Sequence, residues 1–348
     1  MSAQERAAGT AAGQTGGAGA GASGAAGAAG AGASAGSAQM TDVPKEVKAG
    51  RFVRQPNRFT DRITGDGSGP YPAEAGRYRL MVSYACPWAQ RSMIVRRLLG
   101  LEDVVTLGVV DPIRDERGWR FPEPDPVTGA TFLSELYLAT DPGYTGSRYT
   151  VPCVWDTTSK RLVTNDFPNI TTMFETEFTA FHKPDAPDLY PEELRPEIDE
   201  LNDLVYATVN NGVYKAGMAT GQDVYEEAVD ALFGTLDLLE ERLADRRYLL
   251  GDRLTEADVR LYPTLARFDA VYHGHFKCNL RRLVDYPNLW GYARDLYSRP
   301  EFGETTDFDQ IKRHYYVTHK FINPSGIVPK GPDVDWTTPH DRARLGAA

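Results

Sequence analysis

The chain has 348 residues, 41% hydrophobic and 25% charged, a globular composition with enough apolar material for a sizeable core or two domains. The formal net charge is -10 and no dense Lys/Arg run occurs, which argues against nucleic acid and against an anionic membrane as partners. Three cysteines without paired spacing argue against a disulfide framework and for a reducing compartment, so the cytoplasm is the expected location.

Residues 1–39 are almost entirely Ala, Gly and Ser, with too little apolar surface to offset the entropy of ordering, and read as a disordered tail. They lack the basic start and continuous apolar core of a secretory signal, and no stretch elsewhere approaches the roughly 20 apolar residues that span a bilayer. From Arg77, "RYRLMVSYA" predicts a strand, "PWAQRSMIVRRLLGL" a helix closed by Gly100, and "VVTLGVV" a second strand. Such a βαβ unit makes its two strands parallel. The polar, Pro-rich insertion 111–148 that follows is longer than a compact domain normally carries without a task, and reads as an active-site loop. "TVPCVWD" and "RLVTND" predict an antiparallel hairpin, and "FPNITTMFETEF" a helix, so residues 40–185 form one domain.

Residues 190–332 change character. Apolar residues recur at three and four positions, as in "EIDELNDLVYATV", which predicts an all-helical domain. Thr255 and Asp258 stand in capping-box relation at a helix start, and Pro263 in that helix's interior predicts a kink. Residues 333–348 read as a tail.

Cys86 stands where the first strand runs into the first helix. Unpaired backbone N–H groups and the positive end of the macrodipole favour a thiolate there, so its pKa is expected to fall. Pro87 suits the first helical turn because it has no N–H to leave unpaired. A buried, inert cysteine is the blander reading, but strand end, helix start and proline together favour a nucleophile. Ala89 occupies the position three residues on, which excludes a local Cys-x-x-Cys cycle and requires an external thiol. Val151-Pro152 is the second signal. In a thioredoxin-like sheet this bond is expected to be cis beside the cysteine, leaving the Val151 backbone free for a thiol-bearing peptide.

"SYACPWAQR", "GWRFPE", "TVPCVWD", "NNGVYKAG", "RFDAVYHGHFKCNLRRL" and "HYYVTHKFINPSGIVPKGP" together resemble the glutathionyl-hydroquinone reductases, the Xi class of cysteine-bearing, omega-like glutathione transferases, from roughly Phe59 to Pro332. The resemblance implies a thioredoxin-like α/β domain followed by an all-α domain, the latter ending in a capping segment, and a homodimer. It implies that Cys86 attacks the sulfur of a glutathionyl-hydroquinone, releases the quinol and becomes a mixed disulfide, which a second thiol resolves. Trp119 matches the tryptophan against the ligand, and Val151 with Pro152 the backbone that pairs with the cysteinyl unit. Tyr214 and Tyr316 match tyrosines of the reaction, with Tyr315 and Tyr272 on the quinol side. Which of Tyr315 and Tyr316 faces inward the sequence leaves open.

One departure bears on the thiol. The family usually has an acidic residue and then serine before the helix after the hairpin, where this chain has Asp166 and Phe167. Asp166 reads equally as a partner for the γ-glutamyl ammonium and as an N-cap. Phe167 offers the carboxylate no hydroxyl, which opens the place of glutathione to a related thiol without a γ-glutamyl group, such as mycothiol. His273, His275 and Cys278 match no common metal spacing, so no metal is expected, and Cys153 reads as core. Two other activities stay open beside quinol release: general thioltransferase or dehydroascorbate-reductase chemistry at the same Cys86, and a transferase-like module used only for binding.

Overall fold

A two-residue hairpin, β1 (Val47–Lys48) with β2 (Arg51–Phe52), starts the computed structural model, which describes residues 46–146 and 148–346. The predicted tail 1–39 lies outside the described residues, which fall within one unit, Ala38–Ala348. The hairpin docks on the helical half, where Thr220 donates its N–H to the Gly50 carbonyl at 3.1 Å.

The βαβ unit forms as expected from β3 (Tyr78–Val82), α1 (Pro87–Leu98) and β4 (Val105–Val109), with β3 and β4 parallel and Leu80 opposite Leu107. All five residues of β3 are buried, as in a strand with both faces covered. Gly100 ends the helix in the left-handed region, φ 73°, where a side chain would be strained.

The insertion 111–148 is not a plain loop: it contains α2 (Leu133–Thr140), which packs on a sheet strand. This helix starts at Phe132, which cannot cap with its side chain, and Glu135 reaches back to the Phe132 N–H at 2.9 Å. Eight residues without a Ser, Thr, Asp or Asn at the start carry little helical signal. The insertion is tied to the sheet by a buried ion pair, Arg79 Nε donating to Asp125 Oδ2 at 2.9 Å.

The hairpin of β5 (Cys153–Asp156) and β6 (Arg161–Thr164) and then α3 (Phe167–Thr176) follow as predicted. The sheet order is β4-β3-β5-β6, parallel only between β3 and β4, which is thioredoxin-like topology. The second half is helical: α4 (Arg195–Val205), α5 (Gly212–Gly217), α6 (Gln222–Arg242), α7 (Glu256–Arg267), α8 (Pro287–Tyr297), α9 (Pro300–Gly303) and α10 (Phe308–Thr318). Five-residue π-helical turns follow α4 at Tyr206–Asn210 and α7 at Phe268–Tyr272. The capping box stands at α7, where the Asp258 carboxylate accepts from the Thr255 N–H at 2.8 Å. The helix runs on through Pro263 to Arg267.

Residues 333–346 do not form a free tail. Trp336 packs edge-on against Trp290, 4.8 Å between centroids, and lies against Tyr297 and Phe308. Arg342, 1% exposed, donates to the carbonyls of Leu243, Arg246 and Arg247. These carbonyls follow α6, where the helix has no further N–H to offer, and the guanidinium supplies the donors instead. A segment of charged and Pro-rich sequence gave no periodic sign of this docking. Arg342→Ala is expected to lower unfolding stability by about 3 kcal/mol, because three buried acceptors lose a charged donor. Chemical denaturation read by tryptophan fluorescence checks it.

Candidate active site

Cys86 is the N-cap residue of α1, with Pro87 in the first turn and extended backbone, φ -83° and ψ 119°. It is 8% exposed, and its Sγ–H donates to the Val151 carbonyl at 3.3 Å. Val151-Pro152 is cis, as expected. The segment before it is held in place: Tyr137 donates its hydroxyl to the Thr150 carbonyl at 2.8 Å, and Asn165 Nδ2 donates to Thr150 Oγ1 at 3.1 Å.

The expected fall in the pKa of Cys86 does not occur. Burial pushes the thiol up, and the Ala89 N–H, the Arg267 charge, the Trp88 N–H and Arg54 oppose it without prevailing. The expectation weighed the helix terminus and could not see how completely the sulfur is enclosed. Cys153 lies in the core with its thiol also pushed up by burial, and all three cysteines are unpaired.

Arg267 of α7 fixes the loop before Cys86. Fully buried, it donates to the carbonyls of Tyr84 at 3.0 Å and Ala85 at 3.1 Å, and to Gln90 Oε1 at 2.5 Å. Both halves of the chain therefore build the wall behind the sulfur.

Trp119 comes from the insertion and lines the cavity, its ring stacked on His314 of α10 at 5.0 Å and 14°. The His314 Nδ1 donates to the Pro112 carbonyl at 2.6 Å, and burial holds the ring well below its ordinary pKa, so it is neutral. Tyr214 and Tyr315 also line the cavity, their hydroxyls 2.5 Å apart. Tyr272 does not line it: fully buried, its hydroxyl lies 3.0 Å from that of Tyr315. Burial raises the pKa values of Tyr315 and Tyr272 well above the phenolic range, so both keep their protons at neutral pH.

Tyr316, expected to take part in the reaction, lies outside the cavity. Its ring packs on His275 at 4.6 Å and its hydroxyl is 3.5 Å from the Ala270 carbonyl. Consecutive residues of a helix point about 100° apart, so only one of the pair can face inward. That residue is Tyr315. Phe167 lines the cavity with its ring 4.6 Å from that of Trp88. Asp166 stands just outside, its carboxylate accepting from Asn57 Nδ2 at 2.9 Å and from Asn169 Nδ2, without capping α3 through its side chain. Among the described residues no group of three or more His, Cys, Asp or Glu is arranged to hold a metal, and no helix is long and apolar enough to cross a membrane.

Sequence reasoning missed the cations. Arg54, Arg114 and Arg148 line the cavity, and Arg148 pairs with Glu46. They lie in the segment before β3 and in the insertion, where no periodicity or motif marks them. His314 and His319 also line it, and both lie in the "HYYVTHKF" motif.

A glutathione transferase N-terminal domain model matches residues 85–177 and a C-terminal domain model residues 222–295. The chain is 48% identical to the glutathionyl-hydroquinone reductase YqjG of Escherichia coli (strain K12), over 84% of this chain and 92% of that protein. The solved glutathione transferase of Gordonia bronchialis is 56% identical, with a TM-score of 0.82 over 83% of this chain and 92% of that one. The solved glutathione-bound structure of YqjG gives 47% identity and a TM-score of 0.78 over 82% and 96%.

Because burial outweighs the helix terminus, alkylation of Cys86 by iodoacetamide is expected to accelerate continuously as pH rises past the ordinary thiol value of about 8.5. Peptide mapping against pH measures this. A plateau already reached at about pH 7 would mean that the N–H groups and arginines win.

Proposed function

The chain belongs to the glutathione transferase family, and from that premise we propose that it is a thiol-dependent reductase that removes glutathionyl or mycothiyl groups from conjugated hydroquinones. The observation that carries the reading is Cys86 at the mouth of α1, opposite Val151, with the Tyr214–Tyr315 hydroxyl pair in the same cavity.

The reaction balances as two thiol exchanges. The Cys86 thiolate attacks the sulfur of the aryl thioether, and the S–C electron pair goes to the ring carbon, which takes a proton. The quinol leaves and Cys86 holds the thiol in a disulfide. A second thiol attacks that disulfide, leaves as the symmetric disulfide and returns the Cys86 thiolate. In sum, the ring carbon is reduced, and the conjugate's sulfur and that of one consumed thiol are oxidised to the disulfide.

The chain's own groups fit these steps. The Val151 carbonyl now accepts from the Cys86 thiol. A substrate amide N–H that takes this carbonyl displaces the thiol from it and so frees the proton, which matches a buried cysteine that is protonated at rest. Tyr214 and Tyr315 offer phenolic donors to the ring carbon or its oxygen. Trp119, stacked on neutral His314, supplies an aromatic surface for the quinol. Three unpaired cysteines support work in a reducing cytoplasm, and the homodimer implied by the family belongs to the same reading.

Exposing the protein in parallel to glutathionyl- and mycothiyl-hydroquinone is expected to give quinol release and, by mass spectrometry, a thiol adduct on Cys86. Cys86→Ser abolishes both, and retention of activity in that variant would refute the mechanism. Tyr315→Phe is expected to slow turnover by about a hundredfold, while Tyr316→Phe stays close to wild type. Steady-state kinetics on quinol release separate the two.

A further inference from the structure

His319 of the "HYYVTHKF" motif lines the Cys86 cavity, and the steps proposed above give it no task. Beside it lies His275, from the "HGHFKC" stretch whose spacing fits no metal site. Both rings are buried, yet His275 is not part of the cavity wall. Its sequence neighbours Gly274 and Lys277 are exposed, and the Tyr316 ring lies 4.6 Å away.

The two histidines are joined through their ring nitrogens. His275 Nε2 lies 3.3 Å from His319 Nδ1, with the ring centroids 5.4 Å apart and the planes at 18°. The rings therefore meet edge to edge in nearly one plane, the geometry of a shared N–H rather than of stacked faces. Burial, aided by Lys277, brings the pKa of His275 down to about 4. Burial, aided by His314 and Arg114, holds His319 well below its ordinary value, so both rings are neutral at neutral pH. No hydrogen bond among the described residues takes the remaining nitrogens, His319 Nε2 and His275 Nδ1, and neither is sealed off.

Two neutral imidazoles that share one N–H carry one other, which sits at one open end while a lone pair occupies the opposite end. With that proton on His319 Nε2 the cavity faces a donor, and with it on His275 Nδ1 the cavity faces an acceptor. Passage from the first arrangement to the second gives one proton to the cavity, moves the shared hydrogen from His275 to His319, and takes one proton from water at His275 Nδ1. The reverse passage removes one proton from the cavity. Neither ring becomes charged in either direction.

We propose that His319 and His275 form a proton wire for the quinol-releasing reaction, with His319 its cavity terminal and His275 its link to water. The inference rests on that reaction and deepens it by naming the residues that balance its protons. In the first half the ring carbon takes a proton from Tyr214 or Tyr315, and the wire returns one to the phenol. In the second half the resolving thiol loses its proton as its sulfur attacks the Cys86 disulfide, and His319 Nε2 receives that proton. One proton in and one out reset the wire in every turnover, and Cys86 begins and ends the cycle as a thiolate.

Nitrogen NMR of the histidine rings tests this on the unmodified full chain, with free hydroquinone as the probe. Both rings are expected to be neutral at neutral pH, and saturating hydroquinone is expected to move the His275 signals together with those of His319, although His275 lies outside the cavity wall. A doubly protonated ring, or His275 signals that stay in place, would overturn the proposal. Kinetics on glutathionyl-hydroquinone supply the second test. His275→Gln keeps a donor for His319 Nδ1, but an amide does not pass a proton on, so a merely structural role leaves turnover near wild type. The wire instead predicts that kcat falls about a hundredfold in His275→Gln and in His319→Gln with KM unchanged. Because the two residues act in series, the double variant is expected to be no slower than either single one. Wild-type kcat in His275→Gln, or losses that multiply in the double variant, would sink the wire. Should a variant fail to fold, the spectra of the unmodified chain still decide. A wild-type chain that releases no quinol would refute the reaction itself, a result separate from what the nitrogen signals say of the two histidines.

Discussion

The buried guanidinium of Arg267 holds the site together. It comes from the end of α7 in the helical half and takes the carbonyls of Tyr84 and Ala85, the two residues before Cys86. Those carbonyls lie between the end of β3 and the start of α1, where neither sheet nor helix offers a donor. An isolated thioredoxin-like domain would leave them to water. Here a charged donor from the other half satisfies them in a water-excluded place, so the position of the sulfur depends on both halves being packed. The same charge is one of the few influences that lower the cysteine's pKa.

That coupling explains why the helix terminus does not decide the state of Cys86. The macrodipole and the N–H groups of Trp88 and Ala89 act as the sequence argument requires. The helical half, however, closes over the sulfur, and desolvation of a thiolate exceeds what the helix end returns. The resting thiol therefore donates to Val151. A cysteine held protonated in this way is shielded from stray electrophiles.

Much of this was legible in the sequence, for identifiable reasons. The strand-to-helix step at Cys86, the hairpin, the Thr255 start of α7 and the helical half all follow from periodicity and capping chemistry that act locally. Helix α2 escaped because it begins at Phe132 and its start is closed only by Glu135 reaching back. The choice between Tyr315 and Tyr316 needed the rotation of α10, which adjacency in sequence does not supply. Arg54 and Arg91 carry no motif of their own, and only the fold brings both guanidinium groups onto the ring of Trp88. Arg342 was hidden likewise, because the carbonyls it serves lie about a hundred residues earlier.

The three tyrosines form a line whose direction follows from burial. Tyr272 and Tyr315 are enclosed, and phenols so placed hold their protons tightly and must be hydrogen-bonded to one another. Tyr214 is half-buried and stands at the cavity end of the line, 2.5 Å from Tyr315. Each hydroxyl of the line can rotate to donate to the next, and Tyr272 fixes the far end by being wholly out of water. The π turn at Phe268–Tyr272 is what carries Tyr272 to that place at the end of α7, the helix whose Arg267 already fixes Cys86. Cys86 and the line of tyrosine hydroxyls are therefore both tied to one helix end, through Arg267 and Tyr272, and a change in the packing of α7 moves both together.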